Sequence, residues 1–341
     1  MNTKNKVLSL SLCAAFGAAF VLSSAVLPSV PAVFAETNSL QTAIDGAQSG
    51  GTVKLTENCA EAVTVAQDDN IVLDLNGFEI SATLTNNGTL KIVDSVGTGA
   101  FRLTSNTSGV VSAIVNNGGL TFDGATVEAT GTGNQTDIRG ITNNSDAAVS
   151  FLSGDISVIS SGGYFGNAIF NAAGGTVEEI SGGTLTSQIS NTNVKLNSVA
   201  INNSGTIKDI LGGKITSENN GNGGTGNYAV AIRNNNGGVI ESISGGELYG
   251  CTDNGSEVAY AIFNQSGGTI KKISGGKLTG EKKEGGIEWA FGIRNEGNIQ
   301  LISGGQIVAR ISHTSSSGGP NAIALCNDGT VGNVTGGTFF A

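Results

Sequence analysis

Short apolar pieces punctuated by glycine and asparagine recur along this chain with a period near thirty residues. The most regular piece is a four-residue block ending in asparagine. It reads Ala113-Ile114-Val115-Asn116, Gly140-Ile141-Thr142-Asn143, Ala168-Ile169-Phe170-Asn171 and Ala200-Ile201-Asn202-Asn203. It continues as Ala231-Ile232-Arg233-Asn234, Ala261-Ile262-Phe263-Asn264, Gly292-Ile293-Arg294-Asn295 and Ala324-Leu325-Cys326-Asn327, with a looser copy ending at Asn86. Successive block asparagines lie 30, 27, 28, 32, 31, 30, 31 and 32 residues apart. Self-similarity at such a period marks a stacked repeat architecture. Within one unit the pattern predicts three brief strands, for example Ala200–Asn202, Thr206–Ile210 and Lys214–Thr216. No helical segment intervenes, which argues against leucine-rich and ankyrin repeats. Each strand is too short to stand alone, so stability must come from stacking on the next unit. The expected fold is all-β: a right-handed parallel β-helix of about ten coils of roughly thirty residues, about 48 Å long.

Glycine pairs follow the blocks at Gly182-Gly183, Gly212-Gly213, Gly245-Gly246, Gly275-Gly276, Gly304-Gly305 and Gly336-Gly337, where tight corners need positive φ. The recurring asparagine suits a left-handed corner, and its amide can bond the same amide one coil away. An asparagine ladder is therefore expected through Asn86, Asn116, Asn143, Asn171, Asn203, Asn234, Asn264, Asn295 and Asn327. Charge supplies an independent sign of in-register stacking. Equivalent positions carry Glu178, Lys208, Glu241, Lys271 and Gln300, and, after the glycine pair, Thr184, Lys214, Glu247, Lys277 and Gln306. At the spacing of about 4.8 Å between parallel neighbours, opposite signs sit side by side where like signs would repel.

The ends differ from the middle. Residues 1–35 read as an export signal: Lys4 and Lys6 precede an apolar run from Val7 to Leu27, broken by Pro28 and Pro31 before a small-residue cleavage site ending at Ala35. The run is also long enough for an uncleaved membrane anchor. Leu12 before Cys13 argues against a lipoprotein signal. Residues 36–341 then form a single domain, with 36–50 as an N-terminal cap and 51–341 as coils. Leu40, Ala43, Ile44 and Ala47 share one helical face and Ser39 is placed to cap its start. Thr338-Phe339-Phe340-Ala341 reads as one more third strand, an edge that a further domain or partner could meet.

The chain has 17 basic and 27 acidic residues, a net charge of −10. Residues 1–35 hold two lysines and no acid, leaving 15 basic against 27 acidic residues, a net of −12. That balance disfavours nucleic acid and anionic lipid as partners. The domain keeps Cys59, Cys251 and Cys326; the odd number leaves a free thiol, and Cys251–Cys326 is the one candidate disulfide.

Candidate chemistry is sparse. Acids on the strands alternate with lysine, forming ion ladders rather than the carboxylate pairs of glycosidases. Asp68-Asp69 reads as a turn. His313, the sole histidine, reads as solvated surface with no metal partner at ligand spacing. Neither catalytic residues, a metal nor a cofactor is assigned. Function is sought instead in the variable connections 187–199, 217–230, 250–260, 280–290 and 309–321, which must emerge on one side. Tyr228, Tyr260 and Trp289 lie there, with Phe170, Arg233, Phe263 and Arg294 beside them. If the residue before the block asparagine points outward, Phe263 lies between two guanidinium groups. Aromatic and arginine residues lead at binding hot spots, and the bland alternative is that these rings fill gaps.

The stretch Ile71-Val72-Leu73-Asp74-Leu75-Asn76-Gly77-Phe78-Glu79-Ile80, with Leu84-Thr85-Asn86-Asn87-Gly88-Thr89-Leu90-Lys91-Ile92-Val93-Asp94-Ser95, resembles the pectate-lyase-like adhesive domain of bacterial surface proteins. The likeness is close over residues 36–120. It implies a secreted or cell-surface, non-catalytic adhesin-like module that binds a glycan or a host or matrix protein. The alternative is a polysaccharide lyase or glycoside hydrolase on the same fold.

Overall fold

The computed structural model describes residues 32–33, 39–134, 136–162, 165–190, 197–221, 227–253, 257–283, 289–312 and 321–341. The expected leader with its expected cleavage site, and His313, fall largely or wholly outside these residues. No helix among them is long and apolar enough to cross a membrane.

The chain is a parallel β-solenoid. Ten strands, each from a successive coil, build one sheet in chain order, from Val63–Val65 through Asn197–Asn203 to Asn321–Asn327. Eighteen strands form the remaining walls. In one coil these are Thr206–Ile210 and Lys214–Asn219, stacked on Val239–Ile243 and Glu247–Thr252 of the next. Elsewhere the two run on as a single bent strand, as in Gly119–Gly131 and Ala148–Ser160.

Eight full turns of near-thirty residues separate Asn86 from Asn327, so the thirty-residue coil expected for about ten turns holds for about eight. The early coils are shorter. Val63 pairs with Leu84 and Gly51 with Ile71, steps of 21 and 20 residues. The N-terminal segment also spends residues on a helix, Leu40–Asp45, capped by Ser39, whose hydroxyl accepts the Thr42 N–H. Leu40 and Ile44 are buried and Ala43 and Ala47 pack against the same core, Ala47 from just beyond the helix end. Gln41 does what the pattern did not reveal. Its side-chain amide donates to the Thr64 carbonyl at 2.9 Å and accepts the Thr64 N–H at 2.7 Å. One glutamine thus stands in for a neighbouring strand at the sheet's open edge, where unpaired backbone groups invite foreign strands.

Two columns fill the interior of the ten-stranded sheet. Ile114, Ile141, Ile169, Ile201, Ile232, Ile262 and Ile293 stack in register and are all fully buried. Each contributes about 1.5–3 kcal/mol by burial. Beside them runs the asparagine ladder. Every Nδ2 donates to the next Oδ1, from Asn86 to Asn327, at 2.6–2.8 Å. The same amides reach corner carbonyls, as Asn203 does to Gly205 and Val239. The ladder asparagines do not take the left-handed conformation expected of them. Among the described residues, only Asn76 and Asp146 outside glycine have positive φ. The side-chain amides satisfy the corner carbonyls directly, so the asparagine backbone stays extended. At the opposite corner the second glycine of each pair is left-handed, Gly246 at φ 83° for example. A Cβ on the first would press on the coil below, 2.7 Å from the Leu152 carbonyl oxygen at Gly182.

The charge ladder forms as its sign alternation requires. Lys208 meets Glu178 at 2.5 Å, Lys271 meets Glu241 at 2.6 Å and Lys277 meets Glu247 at 3.5 Å. These pairs are solvated and therefore salt-sensitive. Lys271→Glu is expected to lower the melting temperature, with the deficit shrinking in about 1 M NaCl as repulsion is screened; calorimetry at two salt concentrations checks this.

The aspartates of the early motif build corners. Asp74 accepts the N–H groups of Asn76 and Ser95, both at 2.9 Å, and Asp94 those of Gly77 at 2.7 Å and Gly99 at 2.5 Å. Burial alone would raise the Asp74 pKa, but these donors and Lys54 outweigh it and hold the carboxyl below the usual range. The Lys91 ammonium and the Ser153 hydroxyl do the same for Asp123. Both carboxyls are more acidic folded than unfolded. They therefore stabilise the fold above the unfolded value of about 3.9 and lose that contribution as pH falls through the folded values. The urea midpoint is expected to drop below about pH 4, and the double change Asp74→Asn, Asp123→Asn to flatten that drop.

Candidate binding face

The outward side of the ten-stranded sheet carries the aromatic residues singled out from the sequence. Outward positions fall six, four and one residue before each ladder asparagine. Two inward residues separate the last two, as Ala261 and Ile262 separate Tyr260 from Phe263. That local break from strict alternation brings two outward side chains of one strand onto the same patch. Across coils, strand register pairs Tyr228 with Val258 and Trp289 with Asn321; Val230, Tyr260, Phe291 and Ile323 form one column, and Arg233, Phe263, Arg294 and Cys326 the next.

The rings do not stand as isolated projections. Phe263 stacks on Tyr260 at 5.2 Å and 14°, Tyr260 on Phe291 at 5.3 Å and 10°, and Phe291 on Trp289 at 5.7 Å and 7°. Tyr228 meets Tyr260 edge-on, 6.4 Å away and at 76°. The result is a diagonal row of four near-parallel rings with a fifth closing one side. Both faces of Tyr260 and of Phe291 are taken by neighbours. Trp289 ends the row and keeps 41% of its surface in solvent.

The expected sandwich of Phe263 between two guanidinium groups does not form. Arg233 and Arg294 flank Phe263 in register, yet Arg233 lies 5.8 Å over the Tyr228 ring and Arg294 lies 5.9 Å from the Phe291 ring centre. The reason is local: Phe263 covers Tyr260 of its own strand, and the longer arginines reach back to rings further along theirs. Arg233 also donates to the Tyr228 hydroxyl at 2.8 Å. Arg294 pairs with Glu296 at 3.3 Å and with Asp328, and donates to the Cys326 sulfur at 2.7 Å. A separate cation–π contact places Arg139 3.7 Å over Phe170, several coils away. Burial pushes the Tyr260 phenol up to about 12, against the opposing pull of Arg294, and raises that of Tyr228. Both phenols stay protonated at neutral pH.

Two glycines, Gly250 and Gly280, position this row. Ser187, Ser217, Gly250, Gly280 and Ala309 occupy one register position on the wall facing these strands. Where it is Ser217, the hydroxyl accepts the Val230 N–H at 3.1 Å. Where it is Gly250 or Gly280, an added Cβ would overlap the carbonyl of Tyr260 or Phe291. The change from serine to glycine coincides with the change from Val230 to Tyr260 and Phe291 across the coil. Aligning the coils by their asparagines would have displayed both changes, and Phe291 with them.

The other candidates resolve simply. Cys59, Cys251 and Cys326 are all free, so the candidate disulfide is not made. Cys251 is buried in the strand Glu247–Thr252 of one wall, while Cys326 sits on the outer face of another. Burial pushes the Cys251 thiol up to about 11. Asp69 accepts the Ala66 N–H at 2.9 Å within the expected turn. No group of three or more metal-ligating His, Cys, Asp or Glu side chains occurs among the described residues. Of the variable connections, residues 191–196, 222–226, 254–256, 284–288 and 313–320 lie outside those residues. No family model, curated protein or solved structure matches the chain.

Proposed function

We propose that this chain is a secreted or cell-surface, non-catalytic adhesion module that binds through the outer face of its ten-stranded sheet. The observation that carries this reading is the row of rings ending in the half-exposed Trp289. Stacking fixes the rings before any ligand arrives, so little side-chain freedom is lost on binding. The resemblance of residues 71–95 to the pectate-lyase-like adhesive domain supports the same role, and the apolar leader supports export. The ligand is a glycan or a host or matrix protein. A fold of this kind does not by itself fix an activity, so turnover must be tested beside binding. Purified residues 36–341 are expected to be retained on some members of an array of glycans and matrix proteins, with no release of saccharide products. Product release from pectin, alginate or host glycans would replace this reading with that of a polysaccharide lyase or glycoside hydrolase.

A further inference from the structure

We infer that the adhesive ligand is an uncharged glycan, and that one pyranose ring of it stacks on Trp289. The inference rests on the binding reading above and narrows it. Four observations lead to it.

The first is that, of the row's two ends, Phe263 is half-buried and Trp289 is exposed. Tyr260 and Phe291 have neighbours on both faces, and Phe291 is 6% exposed. A ligand can therefore add to the row at Trp289, extending the stack by one flat unit. The apolar C–H face of a pyranose matches an indole in size and polarity, and its rim of hydroxyls stays in water.

The second is area. A stable protein–protein interface covers about 800 Å² on each partner, with several apolar anchors at its centre. Among the described residues, Trp289 is the one strongly exposed large apolar side chain of the ring patch; Val334, Phe339 and Phe340 belong to the other sheet. One ring suits a sugar unit better than a protein surface.

The third is charge. Arg294 is engaged by Glu296 and Asp328, and Arg233 by the Tyr228 hydroxyl. The Arg294 guanidinium is thereby not poised to hold a carboxylate or sulfate, Arg233 is half-buried against Tyr228 with its Nε unpartnered, and the chain's net charge of −10 repels polyanions. The fourth is that the register partner of Trp289 one coil on is Asn321, exposed and uncharged, rather than an acid or a base.

The chain contains a single tryptophan, so its intrinsic emission reports Trp289 alone. The experiment titrates the purified protein with neutral β-glucan and galactan oligosaccharides, polygalacturonate, heparin and fibronectin, following tryptophan emission and affinity together. Trp289→Ala and Trp289→Phe are run in parallel, with circular dichroism as the folding control. The neutral oligosaccharides are expected to shift the emission to shorter wavelength. Trp289→Ala should lose about tenfold or more in affinity and Trp289→Phe less. Binding that leaves the emission of the native chain unmoved, with Trp289→Ala unaffected, overturns the stacking inference while leaving an adhesion module. Emission changes with the polyanions or fibronectin alone overturn the choice of a neutral glycan. Failure to bind any member of the wider array removes the adhesive reading itself.

Discussion

Asn203→Ala is expected to destabilise the solenoid by about 3–5 kcal/mol, the largest effect of any single ladder change. The Asn203 amide is fully buried. It donates to Asn234 at 2.8 Å and to the Gly205 and Val239 carbonyls, and accepts from Asn171 at 2.7 Å. Alanine removes all four bonds: the Asn234 oxygen loses its Asn203 donor and the Val239 carbonyl its amide partner, while Asn171 keeps the Gly175 and Thr206 carbonyls and the Gly205 carbonyl keeps the Val239 N–H, each with one bond fewer. Each such group costs about 1–3 kcal/mol when water cannot reach it, and some relaxation keeps the sum below the simple total. Asn327→Ala is the control. That residue ends the column and is exposed, so its loss should cost less than about 1 kcal/mol. Urea titrations of the two variants make the comparison, and equal effects would contradict the buried amide column.

Gly280→Ala is expected to cost about 3 kcal/mol and to disturb the candidate face as well. Its Cβ would lie 2.7 Å from the carbonyl carbon of Phe291 and 2.9 Å from the Ala259 carbonyl oxygen, both backbone atoms that cannot rotate away. Relief requires the Phe291 strand to move outward, which separates Phe291 from Tyr260 and loosens Trp289. Tryptophan emission should therefore shift to longer wavelength in the folded variant. Ser217→Gly, at the equivalent position, removes two hydroxyl hydrogen bonds, one accepted from the Val230 N–H and one donated to the Ser198 carbonyl, and should leave the emission unchanged. If Gly280→Ala is neutral in both stability and emission, the close approach of the two walls does not hold the ring row in place.

Much of the architecture could be read directly from residue types because a solenoid repeats its local decisions. The asparagine column, the alternating lysine and glutamate pairs and the strand Thr206–Ile210 follow from equivalent residues meeting one coil apart. Ser39 also announced its role as a helix cap. Other features depend on departures from the repeat. The uniform thirty-residue coil failed at the N-terminal end because Val63 and Leu84 are joined by a shorter coil, which a single period hides. The environment of Phe263 was misjudged for a similar reason. Strict alternation would turn Tyr260 and Phe263 to opposite faces, whereas the two inward residues between them turn both outward and let the rings stack. The part played by Gly280 was hidden because its effect lies across the coil, on Phe291, eleven residues away in sequence. The expected left-handed asparagine corner failed because the side-chain amide does the work that backbone geometry was expected to do.

The account stands on successive coils lying in register. Spin labels at Thr89 and Thr330, both exposed, test it most directly by pulsed electron resonance with the native cysteines replaced. The pairings run Thr89, Gly119, Ala148, Thr176, Thr206, Val239, Thr269, Asn298 and Thr330. Eight strand spacings of about 4.8 Å predict a narrow distribution near about 38 Å, and labels at Thr206 and Thr330 should give about half of that. Broad distributions, or two distances that do not keep this two-to-one ratio, would contradict the stacked solenoid and the ring row built upon it.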